Sequence, residues 1–191
     1  MQGAGDNLGE GVRKMVLESL FGRDPATATA AALYDAVVAQ ARQPAFYLRC
    51  GLPDSLDGRF EMIALHSFIV LRRLRALGSE AEALAQSFVD TLARDFDRSL
   101  REMGVGDLGV GKRVKRMAAG FRGRLAAYDA GLDAGGDELE AALRRNAFGT
   151  TRPEPWQVAA MAAYLRREAE APPNPDLLAG KVSFGPAPEQ E

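Results

Sequence analysis

Residues 58–77 place apolar side chains at nearly every position that a helix can present. Phe60, Ile63, Ala64, Phe68, Leu71 and Leu74 fall on one stripe, and Met62, Leu65 and Ile69 widen it until little polar surface remains. A helix with so little polar surface must be covered on most sides, which predicts that other helices surround it as the central element of a bundle. Gly78 is placed to end it and Asp57 to cap its start. Its longest uncharged stretch, residues 62–71, is far short of the ~20 apolar residues that cross a bilayer.

The rest of the chain supplies the surrounding helices. Helical spacing predicts elements over residues 8–21 and 27–42, the second ended by Pro44, then an irregular segment over 43–57. After Gly78, Ser79 and Glu82 have capping-box spacing. A new stripe follows at Ala81, Leu84, Ala85, Phe88, Leu92, Phe96, Leu100 and Met103, with Asp90 and Arg94, and Asp97 and Arg101, spaced as surface pairs. Glycine-rich residues 104–111 read as a helix-to-helix connection. Beyond them Val114, Met117, Phe121, Leu125, Tyr128 and Leu132 share one face of a helix that Gly135 and Gly136 break. Shorter helices are predicted over 138–147 and 155–170. No period-2 strand or internal repeat is present, so the fold class is all-α: an irregular single-domain helical bundle of about six to eight helices. The organisation reads as an N-terminal helix and linker over 1–24, a helical domain over 25–171 and a proline-containing tail over 172–191. In that tail Leu177, Leu178, Val182 and Phe184 either dock on the domain or leave it disordered.

Composition narrows the function classes. Of 191 residues, 47% are hydrophobic, enough for one sizeable core. The 24 basic and 26 acidic residues nearly cancel, which argues against a DNA-binding protein. Cys50 is the single cysteine, so neither an internal disulfide nor a thiolate zinc cage can form, and a reducing compartment is expected. Asp6 and Glu10 stand where a signal peptide would carry positive charge, so the start reads as cytosolic. Four lysines against 20 arginines fit a GC-rich bacterial gene.

Gly106, Gly111 and Lys112 match the first part of a phosphate-binding loop, but Arg113 stands where its Ser or Thr belongs and a helix, not a strand, precedes it. His66 is the only histidine. It lies in the most apolar helix without a carboxylate three or four residues away, which favours a core histidine bonded to a neighbouring element over a metal ligand. No nucleophile and base are spaced for catalysis, so the sequence predicts no catalytic set, no metal site and no cofactor. The strongest physical signal is electrostatic. Lys112, Arg113, Lys115, Arg116, Arg122 and Arg124 occupy residues 112–128 with no acidic residue among them. This face is either simply solvated or meets anionic lipid, ribosomal RNA or an acidic protein.

Three stretches carry a resemblance. They are Leu33-Tyr34 through Gln40-Ala41-Arg42 to Phe46-Tyr47; Pro53 through Glu61 with Leu65-His66; and Arg101 through Asp107 with Val110-Gly111-Lys112, continuing through Lys115, Phe121, Gly123-Arg124 and Ala127-Tyr128. Together, in this order, they resemble the ubiquinol-cytochrome c chaperone family, over about residues 33–128 and more weakly past Asn146. The resemblance implies a protein that binds newly made cytochrome b at the inner membrane until haem insertion and complex III assembly proceed. It implies a cytoplasmic chain peripherally associated with that membrane, with the ribosome and a second copy of the chain as further partners. Within the motifs Asp54, Asp57, Arg59, Phe60, His66, Glu102, Asp107, Arg124 and Tyr128 are the candidate partner-binding residues. An architectural role for them is an equal alternative: Asp57 as a cap, Arg59 and Arg124 as partners for carboxylates, Phe60 as core. Lys112, Arg113, Lys115, Arg116 and Arg122 form the candidate face for a membrane or another anionic partner. Two other readings compete. One is a peripheral-membrane module holding a lipid or quinone in an interhelical pocket; the other is an enzyme whose Asp57, Glu61, Glu102 and Asp107 converge on a metal.

Overall fold

The computed structural model describes residues 25–102, 107–149, 151–172 and 174–189; the side chains of residue 100 and of residues 107–118 are outside this description, as is the helix expected over 8–21. Its elements are α1 (Pro25–Ala41), α2 (Pro44–Leu48), α3 (Leu56–Ala76), α4 (Glu82–Glu102), α5 (Asp107–Ala134), α6 (Glu138–Arg145) and α7 (Pro155–Ala169), with 3-10 turns at Gly78–Ala81 and Pro175–Ala179. No strand occurs among the described residues, and the architecture is the expected all-α bundle.

α3 is the axis. Its side chains enter two adjoining apolar clusters. Met62, Leu65, Phe68 and Ile69 meet α2, α5, α6 and α7 in one, whereas Ala64, Val70, Leu71 and Leu74 meet α1 and α4 in the other. Apolar surface almost all round is therefore what its position requires. Ion pairs from Arg72 and Arg75 to Asp129, at 2.6 and 3.1 Å, add contacts between α3 and α5.

Four local expectations are corrected. Ser55, not Asp57, caps α3: its backbone is extended and its hydroxyl accepts from the Gly58 N–H at 3.1 Å, while Asp57 is already in the first helical turn. Gly58 is required there, because a Cβ would stand 1.9 Å from the Pro53 carbonyl oxygen. The segment expected to be irregular contains α2, with Pro44 at its start, and Phe46 of that turn is fully buried. Five residues are too few to show a helical period. At the α3–α4 turn, Gly78 closes α3 with φ +80°, but a 3-10 turn replaces the capping box and the Glu82 N–H bonds to the Ser79 carbonyl. Finally, α5 starts at Asp107, so Gly111 and Lys112 lie within a helix, not in a connecting loop.

On the outer face of α4, Arg101 pairs with Asp97 at 2.8 Å. Arg94 instead bonds the Asp90 carbonyl and the Thr91 hydroxyl, and the Asp90 carboxylate accepts from Gln86. The tail docks: Leu177 is 1% exposed in the α1–α4 cluster and Phe184 packs against both clusters.

Candidate functional site

The motif residues divide between two buried centres and a surface strip. At the first centre, Glu61 near the start of α3 faces Arg124 of α5. The guanidinium bonds the carboxylate in a two-pronged fork, Nε to Oε2 at 2.5 Å and Nη2 to Oε1. Glu61 is only 7% exposed, so the fork neutralises a charge that burial would otherwise penalise. The same guanidinium lies 5.2 Å from the ring centre of Phe60, which packs at a tilt against Phe96 of α4 with ring centres 5.0 Å apart. The bond to Glu61 pulls the Arg124 pKa up. One turn further along α5, Tyr128 is fully buried against Phe68, and its hydroxyl has no hydrogen-bond partner among the described residues. Burial and the nearby Glu61 charge push its phenol well above the ordinary value.

The second centre surrounds His66, which is fully buried between Phe46, Tyr164 and Phe184. Nδ1 lies 2.8 Å from the Met62 carbonyl and Nε2 2.8 Å from the Tyr164 hydroxyl. A carbonyl can only accept, so Nδ1 carries the proton and Tyr164 donates to Nε2. The Tyr164 oxygen then accepts from Gln40 Nε2 at 3.1 Å, and Gln40 accepts from Gln43. Beside it, Arg73 donates to the Glu168 carboxylate at 2.7 Å and to the Glu168 carbonyl at 2.8 Å.

The strip is exposed. Asp54 pairs with Arg59 at 2.7 Å, both more than half exposed, and Asp57 and Leu56 lie between them in sequence. Glu102 ends α4 in solvent and Asp107 begins α5. Of the basic face, Arg122 is exposed; Lys112, Arg113, Lys115 and Arg116 lie on α5, their side chains outside the described residues. Arg124 is drawn out of that face by Glu61. The same fork occupies Glu61 as a would-be metal ligand, and among the described residues no three His, Cys, Asp or Glu gather to hold a metal.

A depression of about 420 Å³ opens at the α3–α4 turn, lined by Leu71, Leu74, Ala85 and Val89 with Arg75, Glu82 and Gln86. It lies toward the opposite end of α3 from Glu61. No helix among the described residues is long and apolar enough to cross a membrane. Arg73, Tyr164 and Glu168 escaped the sequence reading, and Gln40, part of the first motif, was not among the candidate site residues. The available signal was a polar residue placed on an otherwise apolar helical face.

The family model for the ubiquinol-cytochrome C chaperone matches residues 48–184. The chain belongs to this family. The match takes in the Glu61–Arg124 centre and the His66 centre apart from Gln40, Gln43 and Phe46, and it reaches Phe184 of the tail. The chaperone-family chain is 26% identical over 162 residues to ubiquinol-cytochrome c reductase complex assembly factor 1 of Mus musculus, covering 83% of this chain and 55% of that one. It is 24% identical over 163 residues to the Xenopus laevis assembly factor of the same description, covering 83% and 82%. It thus spans about half the length of the mouse relative. The crystal structure of the Cbp3 homolog from Brucella abortus is similar throughout, with a TM-score of 0.73, 36% identity, and coverage of 94% of this chain and 97% of that one.

Proposed function

We propose that this chain assists assembly of ubiquinol-cytochrome c reductase, complex III, by holding newly made cytochrome b at the inner membrane, with no reaction of its own. The observation that carries the reading is the chaperone-family match over residues 48–184. The names of the mouse and frog relatives and the likeness to the Brucella abortus structure support it. The candidate residues then take two roles. Phe60, His66, Arg124 and Tyr128 are engaged inside the bundle and shape it, whereas Asp54, Asp57, Arg59 and Glu102 remain available to a client. Leu48 and Leu56, 83% and 64% exposed, add large apolar side chains to that surface. The face formed by Lys112, Arg113, Lys115, Arg116 and Arg122 docks on anionic lipid, each basic residue contributing ~1 kcal/mol near the surface.

The test is capture of tagged protein from gently solubilised membranes of the native organism, comparing wild type, Leu56→Asp, and a triple variant with Lys112, Lys115 and Arg122 changed to Glu. Cytochrome b should be enriched with wild type and depleted with Leu56→Asp. The triple variant should in addition stop sedimenting with anionic vesicles. Recovery of lipid or quinone alone, with no complex III subunit, would refute the proposal.

A further inference from the structure

Residues 181–189 run without helix or strand across side chains from α1, α3 and α7 and from the segment that follows α2. Most of the contacts that hold them address the tail's main chain. Arg73 Nη1 donates to the Ser183 carbonyl at 2.9 Å, Gln40 Nε2 to the Gly185 carbonyl at 3.0 Å and Arg167 Nη2 to the Pro186 carbonyl at 3.1 Å. Cys50 Sγ lies 3.6 Å from the Pro188 carbonyl, and the Gly185 N–H donates to Glu168 Oε1 at 3.2 Å. Side-chain selection is confined to few positions. Phe184 meets the His66 ring edge-on at 5.2 Å beneath the Arg73 guanidinium, Ala187 is 7% exposed, and Glu189 pairs with Arg49 at the surface.

The groups that read the tail are held by the domain independently of it. Arg73 is fixed by its two bonds to Glu168, and Gln40 by Tyr164 and Gln43. A row of fixed side chains reading the backbone of an extended segment, with one aromatic pocket, is the physical description of a peptide-binding groove. We propose that this groove binds an extended segment of a client polypeptide, an aromatic residue followed by glycine and small or proline residues, and that the chain's own tail occupies it at rest. The inference does not depend on the client's being cytochrome b. A tethered tail competes at an effective concentration on the order of millimolar, so a micromolar ligand meets a closed site until the tail is weakened.

The experiment titrates a fluorescein-labelled peptide of residues 181–191 with the full chain and reads anisotropy, with folding checked by circular dichroism. Two variants loosen the tail while leaving every groove residue unchanged. In Gly185→Ala a Cβ would stand 2.7 Å from Glu168 Oε1 and Arg167 Nη2, and Phe184→Ala empties the aromatic pocket. Either folded variant should bind the peptide at least tenfold more tightly than wild type, and adding Gln40→Leu should reverse the gain. Equal affinity for wild type and both variants, or a gain indifferent to Gln40→Leu, would overturn the proposal.

Discussion

Acid should destabilise this fold through His66, by an amount that its surroundings define. The ring is fully buried, its Nδ1 proton is given to the Met62 carbonyl and its Nε2 accepts from Tyr164, so a second ring proton would be desolvated and would displace the Tyr164 bond. Burial is the largest influence and lowers the pKa from 6.5 to about 4; the Met62 bond and the Glu168 charge pull it up, and Arg73 pushes it down. Between those two values the unfolded chain binds the proton and the native chain does not, so stability falls as pH falls from 6.5 and levels off below about 4. At about 1.4 kcal/mol per unit, the loss from this residue is about 2 kcal/mol by pH 5 and about 3 kcal/mol by pH 4. Urea unfolding at pH 7, 6, 5 and 4 measures it, with His66→Gln as the reference, since glutamine can accept from Tyr164 but does not titrate. Wild type should lose about 3 kcal/mol more than the variant between pH 7 and 4. Parallel losses would refute the assignment of a neutral, doubly bonded His66.

Two further outcomes follow from the centres described. Arg124→Met leaves the Glu61 carboxylate buried without its partner and should cost about 2 to 3 kcal/mol in urea unfolding, whereas the double variant with Glu61→Gln should recover more than half of it. Ser55→Ala should cost about 1 kcal/mol and Asp57→Ala only a few tenths, a contrast that thermal melts of the two variants will show and that reverses if Asp57 is the cap.

Much of the secondary structure was legible because a helix writes its buried face into its own sequence at a 3.6-residue period. α3, α6 and α7 fall within two residues of their expected limits, and the stripe Leu84, Phe88, Leu92 and Phe96 is buried as its spacing required. Periodicity is weakest where an element is short or a cap is shared among several polar neighbours, which is why α2 and the Ser55 cap were hidden. The resemblance to the chaperone family was legible too, because it rests on residue identities in order.

Contacts across long stretches of chain were not legible. Arg124 and Glu61 are 63 residues apart, and Arg73 and Glu168 are 95 apart. Arg124 was expected to pair with a carboxylate, but nothing in the sequence said which one, and Arg73 could equally have been a solvated surface charge. The pairing is decided only when α3 is enclosed and its few polar side chains must each find a partner out of water. The sequence by itself determined an all-α chain built around one apolar helix. The tertiary structure decided which motif residues are spent inside the bundle and where the tail lies, because the cost of burying a polar group exists only after the helices have closed around it.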